Sequence, residues 1–99
     1  MTLREQQSKF SLLVAHLILN AYNEGFEVTL GDAWAREGHI KDSLHYSRLA
    51  IDINLFKNGR YLKRTEDHEV LGTYWESLDP DCKWGGRFGD GNHYEMCRP

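Results

Sequence analysis

The chain is short of the features that would place it in several common classes. It has only two cysteines, Cys82 and Cys97. Their spacing fits no zinc finger, so both are expected as reduced, partly buried thiols with no need of a bridge. No apolar run is long enough to span a membrane. The best candidate, Leu12 to Leu19, is short and contains His16. The first residues, Met1 to Gln7, are polar and do not read as a signal peptide. The expectation is a protein made in the cytoplasm, not inserted in a membrane, and carried to any outside target by another factor. No cluster of Lys and Arg reads as a stripe. The cations are read as interleaved with acids throughout, and the formal net charge is −3. Nucleic acid, which needs a basic stripe to release its counterions, is not an expected partner. Internal repeats, linkers and low-complexity segments are absent.

What is present suits one small folded unit. Ninety-nine residues make a single domain, 1–99, expected as a monomer. Hydrophobic residues are 40% and charged residues 27% of the chain, an ordinary balance for a globular protein. The core must be small, and twelve aromatics (three Trp, five Tyr, four Phe) supply much of it. A metal at the centre would help such a domain hold together.

The pattern of elements predicts an α+β fold, with a small antiparallel sheet packed against two or three helices. Thr2-Leu-Arg-Glu5 has the form of a capping box. Phe10, Leu13, Val14, Leu17, Ile18, Ala21 and Tyr22 then recur at helical spacing, and Gly25 is placed to end the helix. His16 lies near this face and reads as a hydrogen-bonded structural histidine. Phe26 to Leu30 reads as a strand and Asp32 to Glu37 as a short helical turn. A polar loop follows, with His39 exposed. From Leu49 to Leu55, Leu49, Ile51, Ile53 and Leu55 share one face and Ala50, Asp52 and Asn54 the other. Asn58-Gly59 predicts a type I′ hairpin, with Arg60 to Leu62 returning. Thr65 is expected to cap a second helix burying Val70, Leu71, Tyr74, Trp75 and Leu78, with His68 exposed at its start. Asp79-Pro80-Asp81 ends it. The glycines at 85, 86, 89 and 91 imply tight turns or close backbone approach. A last strand is expected from His93 to Met96.

Two stretches far apart in the chain carry the chemistry: Ser43 to Asp52, and Trp84 to Glu95. A catalytic zinc needs three protein ligands and one open position. His45, Asp52 and His93 are of the right types. A fully extended segment would hold His45 and Asp52 roughly 23 Å apart, so the chain must turn between them. His93 must then come from a neighbouring strand. Asp90, three residues before His93, is placed to work as the acid/base group. Glu95 shares the His93 face of a strand and competes for that role. Arg36, just upstream, is a candidate to reach into the site. On residue types alone, two hydrogen-bonded histidines beside a buried aspartate remain an open alternative.

Ser43-x-His45-x-x-Arg48-x-Ala50-x-Asp52 resembles the Ser-x-His-x-x-Gly-x-Ala-x-Asp signature of the zinc D-alanyl-D-alanine carboxypeptidase and L-alanyl-D-glutamate peptidase group, peptidase family M15. Trp84-Gly-Gly-Arg-Phe-Gly-Asp90-Gly-Asn-His93-Tyr-Glu95 resembles its second signature, Asp-x-x-His or Glu-x-x-His, as it occurs in phage cell-wall endolysins. The resemblance implies a hedgehog/DD-peptidase-like domain with its zinc on the sheet. It implies His45, Asp52 and His93 as zinc ligands and Asp90 as general base and acid. Ser43 would line the substrate site, and Arg36 is the nearest candidate for a carbonyl-polarising arginine. Arg48 stands where the signature has Gly. Either the turn there needs no positive φ, or Arg48 faces the substrate.

The activity this implies is hydrolysis of peptide bonds in bacterial peptidoglycan stems. The endolysin-like second signature favours the L-alanyl-D-glutamate bond. D-alanyl-D-alanine carboxypeptidase activity is the alternative, and so is a zinc-stabilised binding module that no longer cleaves.

Overall fold

The first helix forms where its capping box predicts. In the computed structural model, which describes residues 1–33 and 47–97, α1 spans Leu3–Asn23. The Thr2 hydroxyl accepts from the Glu5 N–H at 3.1 Å, and the Glu5 carboxylate accepts from the Thr2 N–H at 2.9 Å. At the other end the Gly25 N–H donates to Tyr22 and the Phe26 N–H to Ala21, the bond pair of a Schellman close. Phe10, Val14, Leu17 and Ala21 are buried. Tyr22 lies outside this stripe, and its hydroxyl accepts from the Val28 N–H at 3.3 Å. His16 corrects the sequence reading: it is exposed. It sits two positions past Val14, about 200° around the helix axis.

β2, Ala50–Lys57, is the strand around which the sheet is built. β1 (Glu27–Leu30) pairs along one edge. The other edge is shared end to end by β3 (Arg60–Leu62) and β5 (His93–Met96). β4 (Cys82–Trp84) pairs on the far side of β5, and every pairing is antiparallel. The alternation in β2 follows its pattern. Leu49, Ile51, Ile53 and Leu55 are buried in the core, while Asp52 and Asn54 on the other face are half-buried. Asn58 and Gly59 have φ of 53° and 76°, the two positive values of a type I′ turn. That register keeps Leu62 opposite Leu55 on the core side and Tyr61 opposite Phe56 on the outer side.

The second helix starts differently from its sequence expectation. Thr65 to His68 form a 3-10 turn, and α2 proper spans Glu69–Leu78. Asp67, not Thr65, caps the start: its carboxylate accepts the Arg64 N–H at 3.1 Å. The tighter turn rotates His68 inward, so it is 3% exposed rather than at the surface. Its Nδ1 shares a 2.8 Å hydrogen bond with the Tyr94 hydroxyl. Burial drives the His68 pKa down to about 4. The same rotation leaves Val70 exposed, and Leu71, Gly72 and Trp75 form the buried face. Trp75 packs edge-on to Phe10 and Tyr94. Its indole N–H donates to the carbonyls of Lys83 and Glu95, locking α2 to β4 and β5.

Both cysteines are free thiols, Cys82 buried and Cys97 half-buried. No helix among the described residues is long and apolar enough to cross a membrane. From residue 34 onward, the expected turn to Glu37, the loop with His39, and Arg36, Ser43 and His45 lie outside the described residues.

Candidate metal centre and active site

The entry to β2 is set by an unusual backbone angle. Arg48 has φ of 58°, in the left-handed region. The turn does need positive φ at the position where the signature has Gly, and this chain meets the need with a residue that costs about 1–2 kcal/mol there. Nearby contacts hold the turn in place. The Gln7 side chain of α1 donates to the Ser47 carbonyl at 2.9 Å, and the Met96 N–H donates to Leu49 at 2.8 Å. The Arg48 side chain shares a hollow with Phe10, Val14 and Ile51, on the α1 side of the sheet.

Past this turn Asp52 is clamped by its backbone. Its N–H donates to Asp32 at 2.8 Å, and its carbonyl accepts from Gly31 at 2.7 Å. Asp52 and His93 are directly opposed in the β2–β5 register, so both side chains rise from the same outer face. His93 Nδ1 lies 3.4 Å from Asp52 Oδ1, and His93 Nε2 lies 2.7 Å from Glu95 Oε1. The Phe88 ring, 6.0 Å from the imidazole between centroids, helps to keep His93 only 7% exposed.

These distances fit a metal. Zn–N and Zn–O bonds of about 2.0–2.2 Å at a tetrahedral angle place two donor atoms about 3.3–3.5 Å apart. The Nδ1–Oδ1 separation matches that edge. The other ring nitrogen is engaged by a carboxylate, the usual device for fixing the orientation and basicity of a metal-binding histidine. Electrostatics point the same way. Burial alone would lower the His93 pKa, but the hydrogen bonds and negative charge of Asp52 and Glu95 outweigh it and hold the pKa at about 9. The pocket favours one positive charge between Asp52 and His93, whether proton or metal. Among the described residues no group of three His, Cys, Asp or Glu converges to hold an ion. The expected third ligand, His45, lies outside them.

Asp90 enters through a tight loop. Its N–H donates to Gly85 at 2.9 Å, and its carbonyl accepts from the His93 N–H at 3.1 Å. Gly85 is required for this closure, because a Cβ there would sit 2.3 Å from the Asp90 carbonyl and 2.7 Å from His93 Cβ. The Trp84 indole N–H secures the same loop with a 2.7 Å bond to the Gly91 carbonyl. Asp90 is exposed and lines a polar hollow with Tyr61, Thr65, His68 and Asn92.

Of the sequence candidates, the structure brings Asp52 and His93 together and carries Asp90 on the loop that leads into His93. Arg36, Ser43 and His45 are not described. Sequence reasoning weighed Glu95 only as a rival base, whereas the geometry makes it the partner of His93 Nε2. The i, i+2 spacing on a strand was the available signal. The His68–Tyr94 pair went unseen because its cause is the 3-10 turn.

The comparisons agree with this geometry. The family model described as D-alanyl-D-alanine carboxypeptidase matches residues 36–96. That match spans more than half of the chain and both signature stretches, and the chain belongs to this peptidase family, M15. No curated protein is matched by the chain.

Proposed function

We propose that the protein is a zinc-dependent peptidase that hydrolyses peptidoglycan stem peptides, as an L-alanyl-D-glutamate endopeptidase of the phage endolysin type. The observation that carries the reading is the Asp52–His93 pair, spaced as one edge of a tetrahedral metal site. Asp52 and His93, with His45, would hold the ion. Bound zinc supplies Lewis acidity at the scissile carbonyl and makes water more acidic. Glu95 holds the His93 ring by Nε2, so that Nδ1 stays directed at Asp52. Asp90 takes the proton of the attacking water and returns it to the leaving amine. Engagement of Glu95 by His93 favours Asp90 over Glu95 for that task. Ser43 and Arg36 are the candidates to line the site and polarise the carbonyl. The protein would be made in the cytoplasm and reach the wall once another factor releases it.

Removal of a terminal D-alanine is the second reading, favoured by the family description. Digestion of purified peptidoglycan, with and without a chelator, tests both. New alanine carboxyl and glutamate amino termini, lost on chelation, support the endopeptidase. Released free D-alanine supports the carboxypeptidase. The absence of both products with zinc-loaded protein would contradict the peptidase reading.

A further inference from the structure

The interleaving of charge expected along the whole chain fails in one place. Residues 57–64, Lys-Asn-Gly-Arg-Tyr-Leu-Lys-Arg, hold four cations and no acid in a protein of net charge −3. The β2–β3 hairpin brings Lys57, Arg60, Lys63 and Arg64 around one surface hollow, whose one acid among the described residues is Asp67. All four cations are exposed. They are poorly neutralised: Arg64 meets Glu66 only at 3.9 Å, Lys57 lies over the Phe26 ring, and Arg60 and Lys63 have no ion pair among the described residues.

This hollow leads toward the catalytic loop. A second hollow shares Tyr61, Leu62, Lys63 and Arg64 with it and ends at Asp90 and Asn92. Tyr61 sits between the cations, half exposed, and its ring is held by Phe56 at 5.3 Å between centroids. The outcome is a cationic track with one fixed aromatic surface, running from the hairpin tip to the proposed acid/base group.

We propose that this track binds the free carboxylates of the substrate peptide and so sets the enzyme's preference for an acidic peptide chain. The proposal rests on the peptidase reading for the identity of that peptide. Arg and Lys are the natural partners of carboxylates, and Arg adds bidentate geometry. Exposed contacts of this kind are individually weak and screened by salt, so several are needed to discriminate. Cations also guard open strand edges. Guarding accounts for charge on β3 but not for two adjoining hollows that share Lys63 and Arg64, the second of them lined by Asp90.

The test uses full-length, zinc-loaded Asp90→Asn protein, which binds without turning over. The probes are a fluorescent stem tetrapeptide with free carboxylates and the same peptide with its carboxylates amidated. Fluorescence anisotropy is read at low and high salt. The free acid is expected to bind about tenfold tighter at low salt, with the advantage shrinking at high salt. The added pair Arg60→Glu and Lys63→Glu removes that advantage, the neutral pair Arg60→Gln and Lys63→Gln reduces it, and Arg4→Glu on α1 leaves it intact. Equal binding of both peptides, or an unchanged preference in folded charge variants, overturns the proposal. So does a DNA oligonucleotide that binds as tightly as the free acid. Peptidoglycan cleavage by wild type with no carboxylate preference defeats this inference and leaves the peptidase reading standing. Carboxylate-dependent binding without cleavage does the reverse.

Discussion

Asp52 and His93 face each other across two antiparallel strands, with Oδ1 and Nδ1 3.4 Å apart and the far ring nitrogen held by Glu95. The strands come from opposite ends of the β2-to-β5 segment, so the pair exists only in the folded chain. The register that sends Ile51 and Tyr94 into the core sends Asp52 and His93 outward. Site and core are therefore specified by the same alternation.

Asp90 is expected to serve the reaction and not the metal. Asp90→Asn should lower cleavage of peptidoglycan by about 100-fold or more, as loss of a general acid/base group does. Its zinc content should stay at the wild-type level. Parallel loss of metal and activity would instead place Asp90 among the ligands.

Glu95 is expected to act through His93. Glu95→Gln should weaken zinc binding by about 10–100-fold. Activity should fall at limiting zinc and recover when zinc is raised. A loss of activity that excess zinc fails to restore would return Glu95 to the role of base.

Arg48 carries backbone strain at the entry to β2. At φ of 58°, Arg48→Gly should leave thermal stability equal or slightly higher, because relief of strain offsets the added freedom of the unfolded chain. Arg48→Val should lower stability further, because a β-branched residue fits the left-handed region worse than Arg does. Melting curves of the two variants decide this, and equal effects would argue against a strained turn.

Two histidines should give the metal-free protein a stability maximum near pH 6.5. The His68 pKa is about 4 when folded, so between there and its ordinary 6.5 the unfolded state binds more protons. Its contribution is present above 6.5 and is lost as pH falls, about 3 kcal/mol in all. His93 behaves oppositely, since its folded pKa of about 9 lies above the unfolded value. Its contribution is complete below 6.5 and is lost as pH rises through 9. Urea midpoints measured across pH 4 to 10 check this. Saturating zinc should abolish the alkaline loss, because metal then replaces the proton on His93.

Much of this architecture was legible in the residues. The capping box, the alternation from Leu49 to Leu55 and the Asn58-Gly59 turn are local signals with local causes. Each led to the right element. What escaped depended on tertiary context. The 3-10 turn at Thr65 to His68 rotates two side chains away from a simple helical reading, burying His68 and exposing Val70. The cations of 57–64 form an acid-free run that is legible in the sequence, but only the folded hairpin sets them around one hollow. Glu95 was visible as a same-face neighbour of His93, but only the distance to Nε2 assigns it.

The most direct measurement is bound zinc per chain, by metal analysis after dialysis, for wild type, Asp52→Asn and His93→Gln, with circular dichroism to confirm that each is folded. One zinc per wild-type chain and little in either variant is the predicted result. Wild-type protein without zinc, or folded variants that retain it in full, would contradict a metal centre on this pair.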